Sequence, residues 1–334
     1  MTPFVPLIDL TRGGVLECQH AGAIAVVDAR GKLLAKAGDP HWMAFTRSTL
    51  KALQALPFME AGGPAHFRFS GRDVAMLCAS HSGETMHVAQ VQSILDKADV
   101  SYQRLQCGCH VPYYVADGVG PEPAHYDERN HNCSGKHSGF LAYCVQHGLP
   151  LDSYLEPAHP LQQEVRHHVA RAAGLAPEQL HAGIDGCSAP NYAMPLSSLA
   201  RAYARLASGE QDSEFGNSFG QLADAMTAHP DLVSGTGRND KAFMESGRGD
   251  WVTKVGADGM QAFASRSRGQ AFALKIADGD KTALFAATVE VLKQLGWLDP
   301  QQREELRPWR AGVIANWRGT PVGERKPVFK LQPA

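Results

Sequence analysis

The sequence predicts an α+β fold: one antiparallel sheet flanked by helices, with a helical subdomain between its early and late strands. Three observations predict it. An apolar run at 21–28 (AGAIAVVD), a turn and a return at 32–36 form a hairpin near the start. Strand-like runs at 251–256, 260–265 and 270–276 are joined by short turns, of which Ala257-Asp258-Gly259 is a good hairpin signal. The long stretch between the two groups shows mostly helical periodicity.

Taken in order, a helix is expected from about Thr46, with Leu50, Leu53, Leu56 and Phe58 as its apolar positions, ending at Gly62-Gly63-Pro64. The run 73–79 (DVAMLCA) reads as a short buried strand leading into SHSGE at 80–84, and an amphipathic helix then runs to about Ala98. Residues 107–132 are loop-rich, with Gly118, Gly120, Pro121 and Pro123 crowded together. A helix opens at Asn132 and reaches about His147. Further helices are expected at 159–174, 196–208, 215–228 and 281–297, and a strand at 181–184. The tail, 299–334, is polar and proline-bearing and is expected to wrap over the surface. No linker is visible, so the chain reads as one domain, 1–334, of two packed subdomains: a sheet from about 1–40 and 250–300, and helices over about 45–245.

Composition narrows the function. The 334 residues are 44% hydrophobic and 20% charged, with a formal net charge of -2. This is ordinary globular composition. No basic stripe is present to neutralise phosphates, which argues against nucleic acid or a membrane surface as partner. No stretch approaches the roughly 18 apolar residues of a membrane span, and the N-terminus does not read as a signal peptide. The expectation is a soluble, cytoplasmic protein. Seven scattered cysteines in that setting do not form a disulfide framework.

Two constellations carry chemistry. In RSTLK at 47–51, spacing i, i+3 puts Ser48 and Lys51 on one helical face. Lysine serves as the base for a serine nucleophile when burial depresses its pKa, and free N–H groups at a helix start suit a developing oxyanion. Alone, S-x-x-K fixes only two positions and carries little. It gains weight from Ser80, on a strand-to-helix turn, and from Lys254-Val255-Gly256, on a late strand. The order S-x-x-K, serine-bearing loop, K-x-G matches that of β-lactamases and penicillin-binding proteins, and KVGADG at 254–259 also looks like the lysine–glycine strand of serine-dependent glutaminases.

The second constellation is NCSGKHSG at 132–139 with Asp185-Gly186-Cys187 downstream. Cys133 falls in the first turn of a helix, where the thiolate is favoured, and Cys187 can close a zinc site from another element. Spacing selects His137 as the nitrogen ligand. The bland reading is a small-residue helix packing tightly through Gly135 and Gly139. Cys107-Gly108-Cys109-His110 lacks the usual zinc spacings and reads as a structural loop.

Together these residues resemble the bacterial L-asparaginases of the rhizobial type. The matching stretches are Arg12-Gly13-Gly14, FTRSTLKALQALP at 45–57, CASHSGE at 78–84, HNCSGKHSG at 131–139, IDGCSAPNYAMPL at 184–196, HPDLVSGTGR at 229–238 and KVGADG at 254–259, within residues 8–325. The resemblance implies a fold similar to serine β-lactamases and glutaminases, hydrolysis of L-asparagine to L-aspartate and ammonia, and a homodimer. It implies two serine–lysine tandems, Ser48 with Lys51 and Ser80 with Lys254. It also implies a supporting zinc ion held by Cys133, Lys136 and Cys187, which displaces His137 from the ligand set and leaves it beside the substrate. Arg47 is then the candidate for the substrate α-carboxylate and Asp185 for its α-ammonium, each by opposite charge. The rival expectations are a penicillin-binding, β-lactamase-like or glutaminase-like hydrolase, and a non-catalytic zinc-bearing protein that binds asparagine.

Overall fold

Alternation of small and large residues along three central strands decides how the molecule is layered. The structure is a computed structural model and describes residues 3–334. Strands are β1 (Val5–Arg12), β2 (Val15–Asp28), β3 (Leu33–Ala37), β4 (Met43–Phe45), β5 (His181–Ile184), β6 (Pro190–Pro195), β7 (Trp251–Gly256), β8 (Met260–Ser265), β9 (Gln270–Ile276), β10 (Val313–Ala315), β11 (Pro321–Pro327) and β12 (Gln332–Pro333). The main sheet runs β10-β11-β1-β2-β9-β8-β7, with β3 also on β2 and β12 on β3; every pair is antiparallel. A second, small sheet has the order β4-β6-β5.

In β2, β9 and β8, one face carries Ala25, Ala273 and Ala262 in register, and Lys254 of β7 stands opposite Ala262 in the same row. The neighbouring row carries Val26, Phe272 and Phe263, with the two phenylalanine rings stacked at 5.2 Å. Successive side chains point to opposite faces of a strand. The alanine face lets the helical body approach closely, chiefly through helix Leu196–Ser208, and it aims Lys254 into that body. The large-residue face packs under helix Lys281–Gln294 with Trp251 and Trp297. Two cores result, one on each side of the sheet.

The α+β class, the early hairpin, the late strands and the helices at 160–173, 196–208, 216–228 and 281–294 are as the sequence predicts. Three details differ. The expected helix from Thr46 begins as a 3₁₀ turn, Arg47–Leu50, and becomes α-helical only at Lys51. The run before Ser80 is helix Gly71–Leu77, started by a Ser70/Asp73 capping box that outweighs its strand-like composition. The tail does not simply wrap: β11 pairs with β1, whose existence the hydropathy pattern had not signalled, and β10 and β12 extend the sheet at either side. Helix Ser134–Gln146 packs closely on helix Gly71–Leu77 through Gly135, where a Cβ would lie 2.2 Å from the Met76 carbonyl oxygen.

Candidate active site

Ser48 and Ser80 open onto one cavity of about 400 Å3, whose lining also includes Tyr113, Asn132, Thr236, Arg238 and Asn239. Ser48 is half-buried on the 3₁₀ turn, and its hydroxyl makes no hydrogen bond among the described residues. Ser80 follows helix Gly71–Leu77 and is buried. The turn bearing Ser48 lies against β7, because Gly256 has no side chain: a Cβ there would come 2.9 Å from the Thr46 carbonyl oxygen and 3.2 Å from Arg47 Cβ. The glycine of K-x-G is thus a requirement of close approach.

Lys51 is buried beneath the cavity. Its Nζ donates to the carbonyl oxygens of Ala79 at 2.5 Å and Asn132 at 3.1 Å, and to Ser80 Oγ at 2.9 Å. The expected contact with Ser48 is not formed. Two main-chain carbonyls and the Ser80 hydroxyl satisfy the hydrogen-bonding capacity of the buried amine. Burial holds the Lys51 pKa below its ordinary value, while neighbouring Cys133 acts in the other direction.

Lys254 is equally buried and does not bond Ser80. Its Nζ lies 2.7 Å from Asp240 Oδ2 and 3.1 Å from the Val255 carbonyl oxygen. Asp240, on helix Asn239–Ser246, also accepts the Val255 N–H of the edge strand at 2.9 Å. Burial pushes Lys254 down to about 8, against the opposing pull of Asp240 and with the help of Lys51. In place of the expected tandem pairs, Lys51 meets Ser80, and an aspartate without any sequence motif holds Lys254.

Arg47 and Asp185 meet each other, with Nη2 2.9 Å from Oδ1, and Asp258 closes on the Arg47 guanidinium from the other side. Arg47 has φ of 50°, and Asn191 fixes it there by accepting its N–H at 3.0 Å and donating to its carbonyl oxygen at 3.0 Å. Left-handed backbone at a non-glycine residue costs of order 1–3 kcal/mol, so the conformation next to Ser48 is imposed by its surroundings. Neither Arg47 nor Asp185 lines the cavity; both face an adjoining groove with Asp258. His137 is also absent from the lining: it is wholly buried, with Nδ1 2.7 Å from the Tyr154 hydroxyl.

Cys133, Lys136 and Cys187 come together directly behind Lys51. Lys136 Nζ is 3.1 Å from Cys187 Sγ. A hydrogen bond from Cys133, then Lys136 and His137, favours the Cys187 thiolate against its own burial. Lys136 in turn is pushed up to about 12 by the two thiols, against burial. The buried Nε2 of His137 lies toward the Cys187 sulfur. No group of three histidine, cysteine, aspartate or glutamate side chains arranged for a metal exists among the described residues. The gathered donors are two sulfurs and, once it has lost its proton, the Lys136 amine, and thiolate and nitrogen are what zinc accepts.

Sequence reasoning missed Asp240, Tyr113 and Arg238. Arg238 ends the stretch HPDLVSGTGR, so a signal existed for it, but its role was not read. Cys107 and Cys109 are free thiols, while His110 stacks on Tyr113 and sits 3.0 Å from Asn132 Nδ2, bringing that loop to the rim.

With this geometry in place, the comparisons identify a class. A family model described as L-asparaginase II matches residues 8–327. The chain belongs to the L-asparaginase II family, and so is a hydrolase of the asparaginase type with a small-molecule substrate. No curated protein matches it. Among solved structures, a β-lactamase from Mycobacterium bovis aligns with a TM-score of 0.40 at 13% identity, over 82% of this chain and 94% of that one. No helix among the described residues is long and apolar enough to cross a membrane.

Proposed function

We propose that the protein hydrolyses L-asparagine to L-aspartate and ammonia, with Ser48 as nucleophile and Lys51 as base. The observation that carries this reading is one cavity shared by Ser48 and Ser80, with the buried amine of Lys51 on the Ser80 hydroxyl.

The substrate amide carbon sits at Ser48 Oγ, the one serine hydroxyl on the cavity that is free of internal bonds. Neutral Lys51 accepts the Ser48 proton through the Ser80 hydroxyl as the Ser48 oxygen attacks. The Ser48 N–H, which has no partner among the described residues, stabilises the oxyanion. The proton on Lys51 returns through Ser80 to the leaving nitrogen, which departs as ammonia. Water then attacks the acyl ester, Lys51 again taking the proton, and L-aspartate leaves with Ser48 restored. Charged Lys254, held by Asp240, places a positive charge beside this route, while burial and the neighbouring Lys136 favour neutral Lys51.

Zinc is part of the proposal, with Cys133, Cys187 and Lys136 as its holders. When bound, the ion supplies a fixed positive charge that orders these residues behind Lys51. A cytoplasmic homodimer is likewise proposed, and sedimentation velocity of the purified chain tests the assembly.

The test is ammonia release across asparagine, glutamine and small β-aspartyl amides. Asparagine should be turned over fastest. Turnover of nitrocefin or glutamine alone would overturn the assignment, and asparagine binding without ammonia would make the protein a binder.

A further inference from the structure

We infer that Arg238, rather than Arg47, receives the α-carboxylate of the substrate and sets the requirement for a carboxylate next to the scissile amide. The inference rests on the asparaginase reading and deepens it.

Three observations carry it. Arg238 lines the cavity with Ser48 and Ser80, whereas Arg47 lies outside it between Asp185 and Asp258. Among the described residues Arg238 has no acidic partner: its guanidinium makes one hydrogen bond, from Nη1 to the Ser80 carbonyl oxygen at 2.6 Å, while the nearby Glu84 is occupied by the N–H and hydroxyl of Thr236 at 2.9 Å and 2.8 Å. A guanidinium has five N–H donors in a planar fork, so most of its donors remain for a ligand. Finally, the guanidinium lies over the Tyr113 ring at 5.1 Å, and the Tyr113 hydroxyl is bonded by Asn132 Nδ2 at 3.1 Å. The fork is therefore held in place before substrate arrives.

An unpaired, half-buried cation is costly unless it has a purpose or a counter-ion. Here the counter-ion is the substrate. Arg238 is tied to the main chain of the very residue whose hydroxyl meets Lys51. A ligand whose amide carbon is at the serines and whose carboxylate is two carbons away spans from one to the other. The other cation on the lining, Lys281, is exposed at the rim and offers a point charge without the fork.

The experiment compares two amides: L-asparagine, and 3-aminopropanamide, which is asparagine without its carboxylate. The readout is the ratio of their kcat/KM values in wild type, Arg238→Met and Arg238→Lys. A hydrogen bond to a charged group contributes about 1.5–3 kcal/mol, so the ratio should fall about 10- to 100-fold in Arg238→Met and by less in Arg238→Lys. An Arg238→Met ratio equal to that of wild type overturns the inference, whatever the absolute rates do, because a purely structural arginine would slow both amides together. Calorimetry with L-aspartate gives the same decision without turnover: wild type should bind it and Arg238→Met should not. If wild type released no ammonia from either amide, the asparaginase reading would fail, and the calorimetry would still decide the role of Arg238.

Discussion

Lys51 Nζ lies 2.9 Å from Ser80 Oγ and makes no hydrogen bond to Ser48, the serine three residues before it in the chain. The amine therefore reaches the cavity through Ser80. Removing the amine in Lys51→Met should lower kcat by about 100- to 10,000-fold, the range general-base catalysis supplies. Ser80→Ala should lower kcat less than Lys51→Met and leave KM within a few-fold. Steady-state ammonia release measures both, and a Ser80→Ala enzyme with wild-type kcat would remove Ser80 from the proton route.

Asp240 keeps Lys254 charged. Replacing it by asparagine removes a buried anion that raises the Lys254 pKa, so that pKa must fall from about 8. The ammonium form of Lys254 is then lost at lower pH than in wild type. Activity that requires it should lose its alkaline limb at lower pH in Asp240→Asn, with the acid limb little moved. A pH–kcat/KM profile reports this directly, and an alkaline limb that stayed fixed or moved upward would contradict a charged Lys254.

Gly256 sets the position of Ser48. In Gly256→Ala the new methyl meets the Thr46 carbonyl oxygen at 2.9 Å and must push the turn away from β7. Displacement of a nucleophile by about 1 Å costs on the order of 100-fold in rate. The variant should fold, judged by circular dichroism, and lose kcat by that order. Full activity in a folded Gly256→Ala would show that the turn has room to spare.

For the metal, zinc per chain by elemental analysis should be near one in wild type and close to zero in Cys187→Ser. Equal zinc in the two proteins would take Cys187 out of the site.

How much of this was legible in the sequence depends on the range over which each feature is specified. Strands β7, β8 and β9 and the long helices follow from local periodicity, so their bounds were readable. β1 was not, because VPLIDLTR lacks a clean period-two alternation, although it pairs with neighbouring β2 as well as with β11 from the far end of the chain. Ser48, Lys51, Ser80 and Lys254 were identifiable as residues, and Cys133 and Cys187 as a pair. Their pairings were not identifiable. Helical spacing says that residues 48 and 51 share a face, but it cannot say that the carbonyls of Ala79 and Asn132 draw the amine toward Ser80. Asp240 and the Arg47–Asp185 ion pair were invisible for the same reason: opposite charges far apart in sequence meet only once the fold is known.

The most direct test of the account is ammonia release from L-asparagine by Ser48→Ala beside Ser80→Ala. The account predicts that Ser48→Ala is reduced to background with no acyl-enzyme trapped, while Ser80→Ala is slowed yet still acylates at Ser48. A Ser48→Ala protein with near-wild-type turnover, or an acyl group found on Ser80, would contradict it.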